Sequence, residues 1–151
     1  MSGDNTRWVH RWFDEVWNQS DTSAVASAID DMMAPDAVMH GLGEAGRDTI
    51  GSAPFKEFNA RFRSAFSRIH IHIDATVEQG DMIAARWTAR LTHDGPGFGV
   101  APTDTEVTVT GMSMARLRSG RMMEGWNNWD TLGLMAQIRA VTPGVTLVEA
   151  T

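Results

Sequence analysis

Between Asp4 and Gln19 the apolar residues are Trp8, Val9, Trp12, Phe13, Val16 and Trp17. They fall at i, i+1, i+4 and i+5, the spacing of one wide stripe on an amphipathic helix. Asp4 or Asn5 is its expected cap. Val25, Ala28, Ile29, Met32 and Met33 mark a second helix, capped by Ser20 or Asp21. Pro35 stops it, because proline disfavours helix in the residue before it. Ala37–His40 reads as a short extended piece, followed by the loop Gly41–Gly46. Phe55, Phe58, Phe62, Ala65 and Phe66 mark a third helix over about Ala53–Phe66, with Pro54 in its tolerant first turn.

From Ile69 the period changes to two. Ile69, Ile71 and Ile73 alternate with His70, His72 and Asp74. A Gly80-Asp81 turn leads into a long strand, Met82–His93, with Ile83, Ala85, Trp87, Ala89 and Leu91 on one face. Asp94–Asp104, rich in glycine and proline, is a loop. Glu106–Arg118 and Arg121–Asp130 form a hairpin over Ser119-Gly120, and Leu132–Ile138 is a short closing helix or turn. Helices followed by strands predict an α+β fold: a cone-shaped, curved antiparallel β-sheet cupping three N-terminal helices. The open end of such a cone is a natural small-molecule pocket. One domain is expected, with a core over about residues 7–139 and a C-terminal tail over 140–151.

Composition narrows the chemistry. The 151 residues include no cysteine, no tyrosine and a single lysine, Lys56, beside six tryptophans and ten methionines. Thiol nucleophiles, disulfides and cysteine-held metals are excluded. No phenol can serve as an acid or an oxyanion donor. Thirteen basic against nineteen acidic residues give a net charge of −6, so neither nucleic acid nor an anionic membrane is an expected partner. No apolar run reaches membrane-spanning length, and the first residues lack a signal-peptide pattern, so a cytoplasmic protein is expected.

Several segments resemble a known family in order and spacing. They are Asp31–Gly41 with its His40-Gly41 turn, Gly80–Thr88, Thr92–Gly95 with Gly99–Thr103, Arg116–Trp126, and Asp130–Gln137. Together they resemble the SnoaL-like polyketide cyclases, which share the cystatin-like α+β barrel of nuclear transport factor 2. The chain departs from that pattern at Phe66-Ser67-Arg68, Leu91 and Asp104-Thr105.

The resemblance implies a homodimer or higher homo-oligomer. It also implies cofactor-free acid/base chemistry on an apolar, carbonyl-bearing small molecule such as an aromatic polyketide. Asp130 matches the family's acid/base of an intramolecular aldol closure. His40 matches its His-Gly turn, where an imidazole can orient the aspartate or shuttle a proton.

The residues themselves suggest the rest of the site. Glu124, Trp126, Asn128 and Asp130 share one parity of the last strand, which makes Trp126 and Asn128 candidate substrate contacts. Trp12 and Phe13 offer flat walls to a flat ligand. Arg86, on an otherwise apolar or small face, is expected to be buried, paired with Glu124 or polarising a substrate carbonyl. His93 either lines the pocket mouth or bonds the glycine-rich loop. His70 and His72 have only Asp74 nearby as a third ligand, so no metal site is expected.

Other readings remain open. One is a non-catalytic protein that binds a hydrophobic small molecule. Another is a protein-interaction module whose tail extends an interface. A third is an epoxide-hydrolase-like enzyme using Arg86 and Asp130. The missing tyrosine removes the tyrosine-dependent isomerase constellation of the same fold. The orientation of Asp130 relative to the cavity separates these readings.

Overall fold

A computed structural model describes residues 3–43 and 46–139. Helix α1 (Asp4–Trp12) has Gly3 at its cap position, with φ 95°, and the Gly3 N–H donates to Glu78 Oε2 at 3.2 Å. Asp4 therefore opens the first turn instead of capping it. A carboxylate there suits the positive end of the helix dipole. The helix then widens into a π turn, Phe13–Trp17, closed by the Asn18 N–H on the Phe13 carbonyl at 2.9 Å. Asn18 next clamps the sheet through both the N–H and the carbonyl of Ile71.

Helix α2 (Thr22–Met32) is capped by Asp21, whose carboxylate accepts the N–H groups of Ser23 and Ala24 at 2.9 and 3.2 Å. Asp21→Ala should cost about 1 kcal/mol in urea unfolding, since two helix-end donors lose their acceptor. A loss indistinguishable from zero would contradict this capping role.

The chain becomes extended at Met33, ahead of Pro35, so β1 (Met33–His40) is longer than the predicted piece. Pro35 lies in it, exposed, where the pairing with the neighbouring strand is interrupted between Met33 and Val38. A residue without an N–H is tolerated at such a break. A short β2 (Thr49–Ile50) precedes α3 (Ser52–Ala65). Strand β3 (Phe66–Gln79) begins three residues before Ile69, with irregular register beside Arg68 at φ 51°. Then come β4 (Met82–His93), β5 (Thr105–Arg118), β6 (Arg121–Trp129) and α4 (Thr131–Gln137).

The six strands form one curved sheet in the order β2-β1-β6-β5-β4-β3. The expected all-antiparallel sheet is corrected at one pair, because β1 runs parallel to β6. The whole chain from β2 to β5 lies between them, a connection long enough for parallel pairing. The fold is α+β, with a mixed sheet and, among the described residues, four α-helices beside the π turn.

The inner face of β4 buries Ile83, Ala85, Trp87, Ala89 and Leu91, as the alternation predicted. Val107, Val109, Ala115 and Leu117 continue this face on β5, and Trp8, Trp12, Phe13, Ile29, Met32 and Phe55 cover it from the helices. No helix among the described residues is long and apolar enough to cross a membrane. The expected role of the tail in an interface lies outside the described residues.

Candidate functional site

Between the helices and the inner face of the sheet is a cavity of about 60 Å³, partly open to solvent. Eight of its seventeen lining residues are aromatic. Trp17 stands edge-on to Phe55, Phe58 and Phe62 at centroid distances of 6.1, 6.3 and 5.7 Å. Phe62 also stands edge-on to Trp129 at 6.0 Å, and Phe13 tilts against Trp87 at 6.2 Å. Met39, Leu42, Ile69, Ile71, Ala89, Leu91 and Val109 fill the remaining wall.

One polar relay crosses this wall. The Trp87 indole N–H donates to Ser113 Oγ at 3.0 Å, and Ser113 Oγ–H donates to Asn127 Oδ1 at 3.0 Å. Asn127 Nδ2 donates to the His40 carbonyl at 3.4 Å. The indole can only donate and the His40 carbonyl can only accept, which together set the direction of the relay and the Asn127 amide. One hydrogen on Asn127 Nδ2 is then left for a ligand. Ser113, Asn127 and Trp87 all line the cavity, and no carboxylate or imidazole does so among the described residues.

Two glycines hold the relay in place. A Cβ on Gly111 would lie 2.4 Å from the Trp87 ring, so only glycine lets the indole cross β5 to Ser113. Gly41, at φ 88°, brings the end of β1 against β6; a Cβ there would lie 2.1 Å from the Asn127 carbonyl oxygen.

The predicted parity of β6 holds in spacing but lies on the opposite face. Arg116 pairs with Glu124 and Leu117 with Met122, so Met123 is an extra residue. Beyond this bulge Gly125, Asn127 and Trp129 face inward. Glu124, Trp126 and Asn128 face out, which corrects the placement of Trp126 and Asn128 in the pocket. A bulge re-aims every side chain after it.

The other candidates separate in the same way. Trp12 and Phe13 line the cavity. Arg86 is exposed on the outer face of β4, opposite Met112, so the expectation of a buried arginine paired with Glu124 is corrected. The alternation that buries Trp87 forces its neighbour outward. His93 is fully buried and does not wall the cavity; its Nδ1 bonds Thr103 Oγ1 at 2.9 Å and accepts the Thr103 N–H at 3.2 Å, which pins the loop. Asp130 is exposed and caps α4, its Oδ1 accepting the Gly133 N–H at 2.8 Å. It follows the cavity-lining Trp129 in the chain but does not itself line the cavity.

His40 belongs to the outer face. Its ring stacks on Trp126 at 5.4 Å, its Nδ1 meets Asp48 Oδ1 at 2.8 Å, and its Nε2 meets Glu124 Oε2 at 2.7 Å. Arg116 completes the group, 5.8 Å above the Trp126 ring and 3.3 Å from Glu124. Bonding to Glu124 and then Asp48 raises the imidazole pKa above its ordinary value. Only the cation can donate to both carboxylates.

The raised folded pKa gives this contribution a defined pH window. It is complete below the unfolded value of about 6.5 and is lost as pH rises through the folded value. The stability difference between wild type and His40→Phe, which keeps a stacking ring, should therefore shrink as pH rises from 6.5. A difference independent of pH in thermal melts would contradict this.

Among the described residues no three His, Cys, Asp or Glu side chains come together closely enough to hold a metal ion. His72 instead bonds Asp74 at 3.1 Å on the exposed side of β3.

The sequence pattern of the SnoaL-like polyketide cyclases matches residues 7–138. The chain belongs to this family. No functionally curated protein matches it. Among solved structures, a protein of Jannaschia sp. CCS1 assigned as a SnoaL-like polyketide cyclase is similar, with 24% identity, TM-score 0.80, and 92% of this chain and 94% of that chain covered. IdmH of Streptomyces antibioticus, assigned as a polyketide cyclase, has 26% identity and TM-score 0.75, over 89% of this chain and 97% of its own. AclR of Streptomyces galilaeus, assigned as a hydroxylase, has 22% identity and TM-score 0.72, over 96% and 83%. At such identities the likeness to the Jannaschia protein and to AclR shows the fold alone. A SnoaL-like chain thus carries an aromatic cavity with a single amide-terminated relay.

Proposed function

We propose that this SnoaL-like protein binds a flat, apolar, carbonyl-bearing small molecule of the aromatic polyketide class and closes a ring within it. The observation that carries this reading is the unpaired Asn127 amide N–H at the end of the Trp87–Ser113 relay, set in aromatic walls. The family and the likeness to IdmH support a cyclase over other small-molecule chemistry. In an aldol-type closure a carbon beside one carbonyl loses a proton. The resulting carbanion attacks a second carbonyl, forming a C–C bond, and that carbonyl oxygen takes up a proton. Asn127 Nδ2 polarises the attacked carbonyl, and the aromatic walls hold the chain folded. Asp130, next in the chain to the cavity-lining Trp129, is the carboxylate we assign to the proton. Its Oδ1 holds the Gly133 N–H, which leaves Oδ2 for the proton.

A second reading is a ligand carrier without turnover. The capped, outward Asp130 and the cavity wall free of titratable side chains favour it. Both readings require the amide contact. Wild type should therefore bind alpha-tetralone about tenfold more tightly than naphthalene in calorimetry, and Asn127→Leu should erase that preference. Equal binding of the two by wild type would count against the site.

A further inference from the structure

The relay residues also border a second, deeper space. It lies under α1, measures about 20 Å³, room for a single oxygen-sized group, and is lined by Trp8, Ile83, Ala115, Met122 and Gly125. Ser113 and Asn127 line both spaces, together with Trp12, Phe13 and Met39. The two lobes therefore adjoin and share the relay as a wall. A Cβ on Gly125 would lie 2.8 Å from the Met39 sulfur and 2.9 Å from the Met122 sulfur. Glycine there leaves both thioethers room against this lobe.

Trp8 is 94% buried, its ring stacked on Trp12 at 5.3 Å, and its indole N–H has no acceptor among the described residues. A buried donor left without a partner costs about 1–3 kcal/mol. Ser113 and Asn127, which also line the lobe, are already engaged in the relay. We propose that the basal lobe is a second subsite, which takes a hydrogen-bond-accepting oxygen of the ligand against Trp8 Nε1–H. This rests on the cavity being the ligand site and adds to it. The ligand carries two acceptor oxygens, one on each side of the Ser113–Asn127 divide, with an apolar ring system between them. A carbonyl or quinone oxygen fits an otherwise apolar lobe, whereas a carboxylate would meet no cation there.

The test compares alpha-tetralone, with one carbonyl, and para-naphthoquinone, with two opposed carbonyls, on the full chain. Proton–nitrogen spectra resolve the indole N–H signals, and Trp8→Phe identifies that of Trp8. The quinone should move the Trp8 signal downfield and slow its exchange, while tetralone leaves it in place. Trp8→Phe should weaken the quinone about tenfold and tetralone hardly at all. If both probes bind wild type, the Trp8 signal stays still and Trp8→Phe weakens neither, the subsite is refuted while the main cavity stands. If neither probe binds wild type, the cavity reading fails and takes the subsite with it. The wild-type spectra decide the matter even if Trp8→Phe does not fold.

Discussion

Gly41→Ala is expected to lose about 3 kcal/mol or more of stability. Two costs combine. A left-handed backbone at φ 88° is strained for any residue with a Cβ, by about 1–2 kcal/mol. The new methyl would also sit 2.1 Å from the Asn127 carbonyl oxygen, and a strand backbone has little freedom to yield. Either β1 or β6 must shift, and the shift falls on the segment that carries the relay. Urea unfolding should show a lower midpoint at an unchanged slope. The population that stays folded should bind alpha-tetralone less tightly. A loss under about 1 kcal/mol would mean that the two strands do not approach as closely as described.

Asp130→Asn should reduce ring closure of an accepted aromatic polyketide ester by about 100-fold or more, the usual scale for losing a general acid or base. The variant is well suited to the question because asparagine caps helices as well as aspartate does. Its amide oxygen can accept the Gly133 N–H in the same way, so α4 and overall stability should be unchanged. A change in turnover would then report proton transfer alone. Unchanged turnover would remove Asp130 from the chemistry and leave polarisation by Asn127 as the operative effect. Binding of tetralone without turnover of any such ester by wild type would favour the carrier.

The sequence pattern carried most of the fold because its periods are clean. The stripe from Trp8 to Trp17 and the alternation from Ile83 to Leu91 have one interpretation each, and the structure places them as expected. The family match over residues 7–138 agrees with the segments that suggested it. Parallel pairing of β1 with β6 was not legible, because it joins distant segments and leaves no local period.

The site was harder to read for one physical reason. Parity counted backward from Asp130 gives the right grouping, but a single extra residue at Met123 decides which group faces in. Adjacent Met122 and Met123 within an otherwise alternating strand were the available signal. The bulge put Asn127 inside and Asn128 outside. His40 follows the same logic. It stands opposite Trp126 across the parallel pair, so an outward Trp126 takes His40 with it. Small side chains surround Arg86, and small residues on an outer face expose a long one as readily as they enclose it. Ser113 had no motif at all, and only the register of β5 brings it between Trp87 and Asn127.

The most direct test of the central claim is a crystal structure of the protein with alpha-tetralone. The ring system should lie between Trp17, Phe62 and Trp129, with its oxygen within about 3 Å of Asn127 Nδ2. A probe found on the outer face beside Trp126, or one inside the cavity with its oxygen turned away from Asn127, would contradict the account.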